Sequence, residues 1–364
     1  MRILIGTNHF QEYAGSELVV LEMAECFFQE GCSVTICANF VADPMKKAAE
    51  SSGISTLIAS EDINAFDFDL VLTINQIAPL FTYKESKEMR EHTRFIFLHV
   101  DINFCLSQLG LIHEPILADE VWFNSEEMKD HFVAKGSPIE KSYIFYNAAP
   151  SRFWLEKRPY NSKISNILMI SNHLPEELKE LKVLLKKKGI SVKHIGQNGD
   201  EYGRIGPKIL NNSDVVISIG KTAQYCVAHK TPFFVYDHFG GPGYLTPDNF
   251  ERASRFNFSG RCCETKKSAE QLVDELDTGY CNAVKFFSNL ENEKIGKFRL
   301  RPQIISLLSR VSESQTNSER LSLIENYRQE MEKEQALARG AAMFYRMWRG
   351  AHLTVEHYRS KEKS

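Results

Sequence analysis

The sequence lacks any apolar run of about 18 residues, so we predict no membrane-spanning helix. It also lacks a basic excess: 44 Lys and Arg stand against 47 Asp and Glu, which gives no reason to expect a nucleic-acid partner. The loop after the first predicted strand does not carry the G-x-G-x-x-G fingerprint, and no P-loop pattern is satisfied. These absences argue against an NAD or FAD enzyme and against a P-loop nucleotide site.

The eight cysteines are scattered and form no CxxC pair, and Cys262 and Cys263 are adjacent. This spacing argues against a zinc site or a thioredoxin-like motif, and we expect reduced thiols in a cytoplasmic protein. Residues 1–6 are predicted to be a buried strand rather than a signal peptide. We expect neither a cofactor nor a bound metal.

The 364 residues favour two domains, each with its own core. Short apolar strands alternate with helical patterns, which is typical of parallel sheets covered on both faces. Strands are predicted at 2–7, 33–37, 70–74, 94–99, 120–124 and 143–146, with helices at 16–29, 44–51 and 125–133. After a polar linker at 147–165, strands are predicted at 166–171, 192–195, 214–219 and 232–236, with helices at 175–188, 222–229 and from 268 onward.

This pattern predicts an α/β protein of two Rossmann-like, doubly wound domains that face a central cleft. We assign residues 1–160 to the first domain, 161–335 to the second, and 336–364 to a terminal helix. In open parallel sheets, ligands bind beyond the carboxyl ends of the strands. The loops that follow strands in each half are therefore the places to look for a site.

In the first half, Gly15, Ser16 and Glu17 begin a helix after the first strand, where backbone N–H groups favour an anion. Glu17 also suits the helix dipole, so a purely structural role has equal standing. His99 ends a strand and Asp101 follows it, so both are candidate catalytic groups, although His99 is also explained as a hydrogen-bonded structural histidine.

Asp67-Phe68-Asp69 has the look of a D-x-D metal motif, but it precedes a strand instead of following one. We therefore interpret it as a solvated strand entry. No other pattern in the sequence predicts a metal site.

In the second half, Ser171, Asn172 and His173 lie between a strand and a helix, where they can hold a phosphate or simply cap the helix. The densest pattern is Gly220-Lys221-Thr222, at which a strand ends and a helix begins. Backbone N–H groups, the Thr222 hydroxyl and the Lys221 charge together favour a diphosphate. Gln224, one turn into that helix, is a candidate for a ribose contact.

A third group of candidates follows the strand predicted at 232–236. The glycine-rich residues 239–247 are predicted to be a loop whose backbone approaches a ligand, unless they form a structural Ω-like loop. An arginine in the polar segment 257–261 can bind phosphate. The residues selected here are Asp237, His238, Gly240, Gly241, Ser259 and Arg261.

The terminal segment combines aromatic and basic side chains. We favour packing of this helix on its own protein, and contact with the cytoplasmic face of an anionic membrane stays open. Its relevant residues are Arg339, Phe344, Arg346, Trp348, Arg349 and His352.

Taken together, these segments resemble the GT-B glycosyltransferases over most of residues 1–280. The likeness rests on the Gly15-Ser16-Glu17 loop, the strand-to-helix segment 118–126, the segment 144–150, the donor helix 220–228 and the strand and loop at 232–241. Residues 240–243 and 257–261 are similar to the branch of bacterial surface-polysaccharide transferases, of the group 1 or family 4 type.

The resemblance implies transfer of a sugar from a nucleotide-sugar donor, held by the second domain, to a glycan or lipid-linked glycan on the first. It implies that Lys221, Thr222 and Gln224 hold the nucleotide and that residues 171–173 lie near the diphosphate. It also implies a terminal helix that crosses back to the first domain. If the enzyme inverts, Glu17 is our first candidate base and Asp101 or His99 the second; if it retains, these groups position the acceptor.

One departure from the family pattern keeps two alternatives open. Where many retaining members carry a Glu-x7-Glu pair, this sequence has Val216 and Gln224. A non-catalytic GT-B partner subunit and a GT-B sugar-nucleotide epimerase therefore remain alternatives. The donor base, the sugar, the stereochemistry and the oligomeric state are left open by the sequence.

Overall fold

The computed structural model describes residues 1–75, 77–84, 93–101, 110–135, 141–312 and 318–361, with the side chains of the last helix as far as His352. Cys105 lies outside these residues; the other seven cysteines are free thiols, as expected. Among the described residues, no helix carries an apolar stretch long enough to cross a bilayer.

The first half of the chain forms a parallel sheet of seven strands with the order β3-β2-β1-β4-β5-β6-β7. The strands are β1 (Arg2–Phe10), β2 (Ser33–Val41), β3 (Ser55–Ile58), β4 (Leu70–Ile74), β5 (Arg94–His99), β6 (Glu120–Phe123) and β7 (Ser142–Ile144). The central strand β4 is buried along its whole length, as expected for a sheet that helices cover on both faces. This order confirms a Rossmann-like first domain; the exposed strand β3 was not predicted.

The described residues of this half form helices α1 (Gly15–Gln29), α2 (Met45–Ser51), α3 (His113–Leu117) and α4 (Glu126–Ala134). Helix α4 begins where the sequence predicts, because the Ser125 hydroxyl accepts the backbone N–H of Met128 at 3.2 Å. Helix α1 has its first turn at the carboxyl end of β1 and packs its apolar side into the core beneath the sheet.

The second half forms a five-stranded sheet with the order β12-β11-β10-β8-β9. Its strands are β8 (Asn166–Ile170), β9 (Ser191–Ile195), β10 (Val215–Ser218), β11 (Phe233–Asp237) and β12 (Gly240–Tyr244). Its helices are α5 (Glu176–Lys187), α6 (Pro207–Asn211), α7 (Lys221–His229), α8 (Phe250–Arg255) and α9 (Ala269–Ser288). The parallel strands are again doubly wound, with the 2-1-3-4 order of flavodoxin-like sheets.

The glycine-rich segment that we predicted to be a loop is instead strand β12, which pairs antiparallel with β11. Its glycines allow close packing inside the domain. A Cβ on Gly240 would lie 2.1 Å from the carbonyl oxygen of Thr265, and one on Gly241 would lie 2.0 Å from that of Val235. Because Gly240 and Gly241 carry no side chains, the backbones at Thr265 and Val235 can pack directly against β12.

The chain crosses between the domains twice, and the two crossings lie side by side. Ala148 belongs to the first core and Ala149 to the second, whereas Phe298 belongs to the second core and Leu300 to the first. The backbone N–H of Ala149 donates to the carbonyl of Phe298 at 2.7 Å, and that of Leu300 donates to the carbonyl of Ala149 at 3.1 Å. The domains are thus joined by a pair of hydrogen-bonded strands of chain.

The last three helices are α10 (Leu300–Ser312), α11 (Ser318–Asn326) and α12 (Arg328–Lys361). Leu300, Ile304 and Leu307 of α10 belong to the first core, and Ile324 of α11 and Met331 of α12 lie in a cluster with Phe95 of β5, so these described helices, which we had assigned to the second domain, pack with the first. This corrects the expected limits of the second domain, because packing changes sides at residues 149 and 300. The expected return of the terminal helix is confirmed: Gln335 of α12 donates to the carbonyl of Phe81 at 2.8 Å.

In each sheet there is a point at which the strand order reverses. In the first it lies between β1 and β4, and in the second between β8 and β10. Loops diverge at such a point and leave a crevice beyond the carboxyl ends of the strands. The two crevices face each other across the cleft between the domains, and a cavity lies there.

Candidate functional site

The cavity between the two domains has a volume of about 560 Å³. That size suits a small organic ligand, for which pockets of about 300–1,000 Å³ are usual. Its walls come from the loops that follow β1, β4 and β5 on one side and β8, β10 and β11 on the other. The site therefore belongs to both domains at once.

One part of the second-domain wall is the loop after β8, where Ser171, Asn172 and His173 line the cavity as predicted. The loop is fixed by its neighbours: the Ser171 hydroxyl accepts the backbone N–H of His173 at 3.0 Å, and the Asn172 amide oxygen accepts that of Gln197 at 3.1 Å. Gly196 makes the close approach possible, because a Cβ there would lie 1.9 Å from the Ser171 carbonyl oxygen.

The start of α7 forms another part of this wall. Gly220 has φ 56° and ψ −132°, a conformation that side-chain-bearing residues avoid, and it turns the chain from β10 into the helix. Gly220 and Thr222 both line the cavity. The first N–H groups of a helix have no partner within it and favour an anion, so this turn is suited to a phosphate group.

Lys221 lines the cavity, but its ammonium is not directed to a ligand as we predicted. Nζ donates to the carbonyls of Asn147 at 2.9 Å and Ala148 at 2.6 Å, and it lies 2.9 Å from a carboxylate oxygen of Glu22 on α1. The side chain is buried, and burial lowers the pKa of Lys221. The ammonium of Lys221 therefore links α7 of the second domain to α1 of the first domain beneath the cavity.

Glu22 lies at the centre of a wider network. The Tyr225 hydroxyl donates to it at 2.9 Å, and Arg152 also donates to it. Arg204 pairs with Glu25 one turn further along α1, at 2.6 and 2.7 Å. Charged side chains from both domains thus form ion pairs around the buried Glu22 at the bottom of the cleft.

Gln224 lies behind the cavity wall. Its side-chain nitrogen donates to the amide oxygen of Asn257 at 3.1 Å, and Asn147 donates to the same oxygen at 3.1 Å. Asn147 and Asn257 line the cavity, whereas Gln224 is buried behind them. Gln224 thus holds two lining residues in place, and the direct ribose contact that we predicted is not what this arrangement provides.

The loop after β11 contributes Asp237 and His238 to the cavity. Asp237 is engaged in holding the chain: its carboxylate accepts the backbone N–H of Phe239 at 2.7 Å, the Ser259 hydroxyl at 2.9 Å and the backbone N–H of Gly260 at 3.0 Å. His238 is exposed at the rim, and its ring lies 4.0 Å from that of Phe239. Ser259 supports Asp237 from outside the cavity.

Gly240, Gly241 and Arg261 do not line the cavity, contrary to our expectation. The two glycines lie in β12, as described above. Arg261 forms a bidentate pair with Glu127 of α4, at 2.7 and 2.8 Å. This is a second interdomain contact, half-buried and away from the cavity, so its guanidinium is committed to a carboxylate instead of a phosphate.

On the first-domain side, Gly15 and Ser16 line the cavity at the start of α1, as predicted. Glu17 does not reach it. The carboxylate is buried and folds back onto the preceding loop, where it accepts the backbone N–H groups of Gln11 and, at 2.8 Å, Glu12. Burial raises the pKa of Glu17 to about 8, against the lowering effect of those two hydrogen bonds. Its position is that of a residue that shapes the loop and not of a base.

His99 is also away from the cavity. Its Nε2 lies 3.1 Å from a carboxylate oxygen of Glu114, and its ring packs between Phe123 and Phe132, with the Phe132 ring 4.1 Å away. This is the structural role that the sequence left open. Asp101, two residues on, does line the cavity. Of the three predicted catalytic groups, only Asp101 faces the space that a ligand would occupy.

Several lining residues were missed by the sequence analysis. His9 and Glu12 follow the buried part of β1, and Tyr202 reaches over from the second domain. The Tyr13 backbone N–H donates to the Tyr202 hydroxyl at 3.0 Å, and Gln197 donates to Glu12 at 2.8 Å, so these residues bridge the cleft. A signal was present: His9 and Glu12 are polar residues within five positions of the apolar strand predicted at 2–7.

His9 and Glu12 are also joined to the terminal helix. Arg349 of α12 donates to the Glu12 carboxylate, and the Tyr345 hydroxyl lies 3.4 Å from Nδ1 of His9. Burial, together with the Arg349 charge, lowers the pKa of His9 to about 4, although Asp101 acts in the opposite direction. His9 is therefore neutral at neutral pH.

In the described part of the chain, no group of three or more His, Cys, Asp or Glu side chains is placed to hold a metal ion. The Asp67-Phe68-Asp69 segment agrees with this, since its residues lie at the entry to β4, where Asp69 accepts the backbone N–H of Arg2 at 2.7 Å.

No family model matches the chain, and no curated protein sequence is detectably similar to it. Solved structures are similar in fold. The Anabaena protein Alr3699/HepE, whose crystal structure contains UDP and glucose, is 12% identical, with 85% of this chain and 99% of that one covered and a TM-score of 0.53. A glycosyltransferase from Rickettsia africae is 14% identical, with 85% and 98% covered and the same TM-score. The likeness confirms the GT-B fold.

Proposed function

We propose that this protein is a nucleotide-sugar-dependent glycosyltransferase that acts on a glycan or lipid-linked glycan acceptor in cell-surface polysaccharide synthesis. The observation that carries the proposal is the cavity at the strand-order reversals of both sheets, with the start of α7 on one wall and the start of α1 on the other. The structure of HepE with UDP and glucose supports the proposal by analogy of fold.

In this proposal the donor diphosphate lies against the first turn of α7. Negative charge grows on the departing phosphate during transfer, and preorganised N–H groups stabilise it most where water is excluded. The Thr222 hydroxyl adds a neutral donor there, while Ser171 and Asn172 close the other side of the same wall. Lys221 contributes by holding the domains together, since its ammonium is already satisfied.

The acceptor lies on the first-domain side, next to Asp101, His9 and Glu12. Asp101 replaces Glu17 as the candidate base if the reaction inverts, because it lines the cavity and Glu17 does not. If the reaction retains, the same residues orient the acceptor hydroxyl. We propose no metal requirement, and turnover in the presence of a chelator tests that point.

The experiment is thermal unfolding of the full chain with UDP, GDP, CDP, CMP, ADP, TDP and NAD. A ligand at 100 times its dissociation constant adds about 2.7 kcal/mol to the free energy of unfolding. We expect one nucleoside diphosphate to stabilise the protein and Thr222→Val to weaken that effect. Thr278→Val, on the exposed side of α9, is the matched control and should leave it unchanged. Stabilisation by NAD alone, or an equal response of both variants, would remove the proposal.

A non-catalytic GT-B subunit is the second candidate. Two observations favour it: the ammonium of Lys221 is taken up by Glu22, and Gln224 stands where many retaining family members carry a carboxylate. The two candidates separate in a turnover assay with the nucleotide sugar that corresponds to the stabilising nucleotide. Release of free nucleoside diphosphate with acceptor present excludes the non-catalytic subunit. Conversion of the nucleotide sugar to its epimer without an acceptor, with the sugar still attached to the nucleotide, indicates the epimerase.

A further inference from the structure

The outer face of α12 is apolar over a length that ordinary protein surfaces rarely show. Between residues 336 and 351, every residue that the structure leaves exposed is apolar or glycine. The five large ones are Leu337, Met343, Phe344, Met347 and Trp348, with exposures from 50% for Trp348 to 70% for Phe344. They fall on one side of the helix, with the exposed Gly340 between Leu337 and Met343, and form one stripe of about 16 Å at 1.5 Å per residue.

The opposite face of the same helix accounts for its position on the protein. Met331, Ala338 and Ala342 are buried in the first domain, and Arg349 donates to Glu12 at the cavity. The helix is therefore anchored by one side only. A continuous exposed apolar stripe on an anchored helix marks a place where something else binds.

Charge indicates what that partner is. From residue 335 to residue 355 the sequence contains no Asp or Glu, and it contains Arg339, Arg346 and Arg349. Arg339 pairs with Glu61 at 3.0 Å and Arg349 pairs with Glu12, so the charge that can meet a partner is that of Arg346. The aromatic residues Phe344 and Trp348 lie in the same stretch. Aromatic and aliphatic side chains on one face, with an arginine and no carboxylate beside them, are features of helices that lie in the headgroup region of an anionic bilayer.

A second copy of this chain fits the stripe less well. Two such helices could pair, but pairing would bring Arg346 of both copies together with no carboxylate on either helix segment to neutralise it, because Glu61 and Glu12 are already paired with Arg339 and Arg349. Anionic lipids supply that missing charge, and each Lys or Arg near such a surface contributes about 1 kcal/mol of attraction.

We propose that the stripe formed by Leu337, Met343, Phe344, Met347 and Trp348 docks the protein on the surface of an anionic lipid bilayer. Docking would place the bilayer beside the cavity, because Tyr345 and Arg349 of the same helix contact His9 and Glu12. An acceptor with a lipid tail could then remain in the bilayer while its head reaches the first-domain wall. This last consequence rests on the proposed function, whereas docking does not.

The test is co-sedimentation of the full chain with vesicles of phosphatidylcholine alone or with 30% phosphatidylglycerol, without donor or acceptor. We expect binding to the anionic vesicles and at least a tenfold loss of partitioning in Phe344→Ser/Met347→Ser. The matched control is Val183→Ser/Ile305→Ser, which changes exposed apolar residues on α5 and α10 and should bind as the wild type does. Arg346→Gln should weaken binding about fivefold, as expected for one arginine.

Two further measurements sharpen the result. Fluorescence of Trp348, exposed on the stripe, should be quenched by brominated lipid, while Trp122 is buried in the core and protected. Equal partitioning of the stripe and control variants would overturn the proposal. The proposal would also be overturned if the wild type did not bind anionic vesicles and sedimented as a dimer, and if the stripe substitutions dissociated that dimer. The occupant of the stripe would then be a second copy of the chain. Failure of the nucleotide experiment would leave this result unaffected.

Discussion

Removal of one buried charge beneath the cleft tests how the two domains are held together. Glu22 of α1 is buried and lies 2.9 Å from Nζ of Lys221 on α7. In Glu22→Gln the ammonium of Lys221 would keep only the carbonyls of Asn147 and Ala148. Because an unpaired buried charge is costly, we expect this isosteric change to destabilise the folded protein strongly.

The expected magnitude follows from the partners that remain. Breaking a buried ion pair by removing one member costs about 3–5 kcal/mol. Arg204 keeps its two hydrogen bonds to Glu25, and Arg152 is half-exposed, so water compensates part of their loss. The cost therefore falls on Lys221, and we expect about 3 kcal/mol. Burial already lowers the pKa of Lys221, so the cost should shrink at high pH, where the ammonium loses its proton more readily.

The assay is denaturant unfolding, with the midpoint and slope compared between variants. Glu22→Gln/Lys221→Met removes both charges and should recover much of the loss, which gives a favourable coupling energy in the double-mutant cycle. Glu25→Gln, one turn along the same helix and paired with Arg204, is the matched control and should cost less. A cost below about 1 kcal/mol for Glu22→Gln, with no coupling to Lys221→Met, would refute the reasoning.

Three further predictions concern the cavity and its surroundings. Since the pKa of Glu17 is raised to about 8, the folded protein keeps a proton that the unfolded chain releases above pH about 4.5. Between those two pH values the free energy of unfolding should fall by up to about 1.4 kcal/mol per pH unit. In Glu17→Gln this part of the pH dependence should be absent from a series of unfolding curves. Gly196→Ala should lower both stability and nucleotide affinity, because its Cβ would displace the Ser171 carbonyl, while Gly189→Ala, with open space around it, should affect stability alone. Arg261→Gln should cost less than about 1 kcal/mol, and less still in high salt, because its pair with Glu127 is half-buried.

The arrangement of strands could be predicted because it depends on local patterns. Strands such as β4 are apolar except for one threonine, and helix starts such as Ser125 carry their own capping side chain. Each of these two signals depends on only a few neighbouring residues in the sequence. The limits of the domains could not be predicted in the same way, since α10 is an ordinary amphipathic helix and only its contacts show that Leu300 and Ile304 belong to the first core.

Glycine illustrates where local patterns mislead. Gly220 was correctly assigned to a sharp turn before a helix, because a single glycine between a strand and a helix has few other uses. Gly240 and Gly241 were assigned to a loop, although they form β12. Their closest neighbours are the backbones at Thr265 and Val235, and such close approach of distant segments leaves no signal in the local sequence.

Charged residues at the site were the hardest to interpret. Lys221 stands at a helix start that suits a phosphate, yet its ammonium is used by Glu22, far away in the sequence. Glu17 turns back to the loop before it and His99 finds Glu114, so neither faces the cavity. The side-chain types do not indicate which partner uses each charge, because that is decided by the tertiary structure.

The terminal segment shows a different outcome. The sequence offered packing on the protein and contact with a membrane as alternatives for residues such as Phe344 and Trp348. Met331 and Ala338 of the same helix do pack in the first domain, whereas Phe344 and Trp348 stay exposed. Packing therefore accounts for one face of the helix, whereas the other face is exposed and is the one to which the proposal of membrane contact applies. Periodicity alone could not assign residues to the two faces.

The central claim is that a nucleoside diphosphate binds at the start of α7, inside the interdomain cavity. Calorimetric titration of the stabilising nucleoside diphosphate into the wild type, Gly220→Ala and Gly206→Ala tests it most directly. Gly220 needs its positive φ to present the first turn, whereas Gly206 precedes α6 with φ −129° and open space around it. The account predicts one site whose affinity falls at least tenfold in Gly220→Ala and is kept in Gly206→Ala. Equal affinity in all three folded proteins would contradict it.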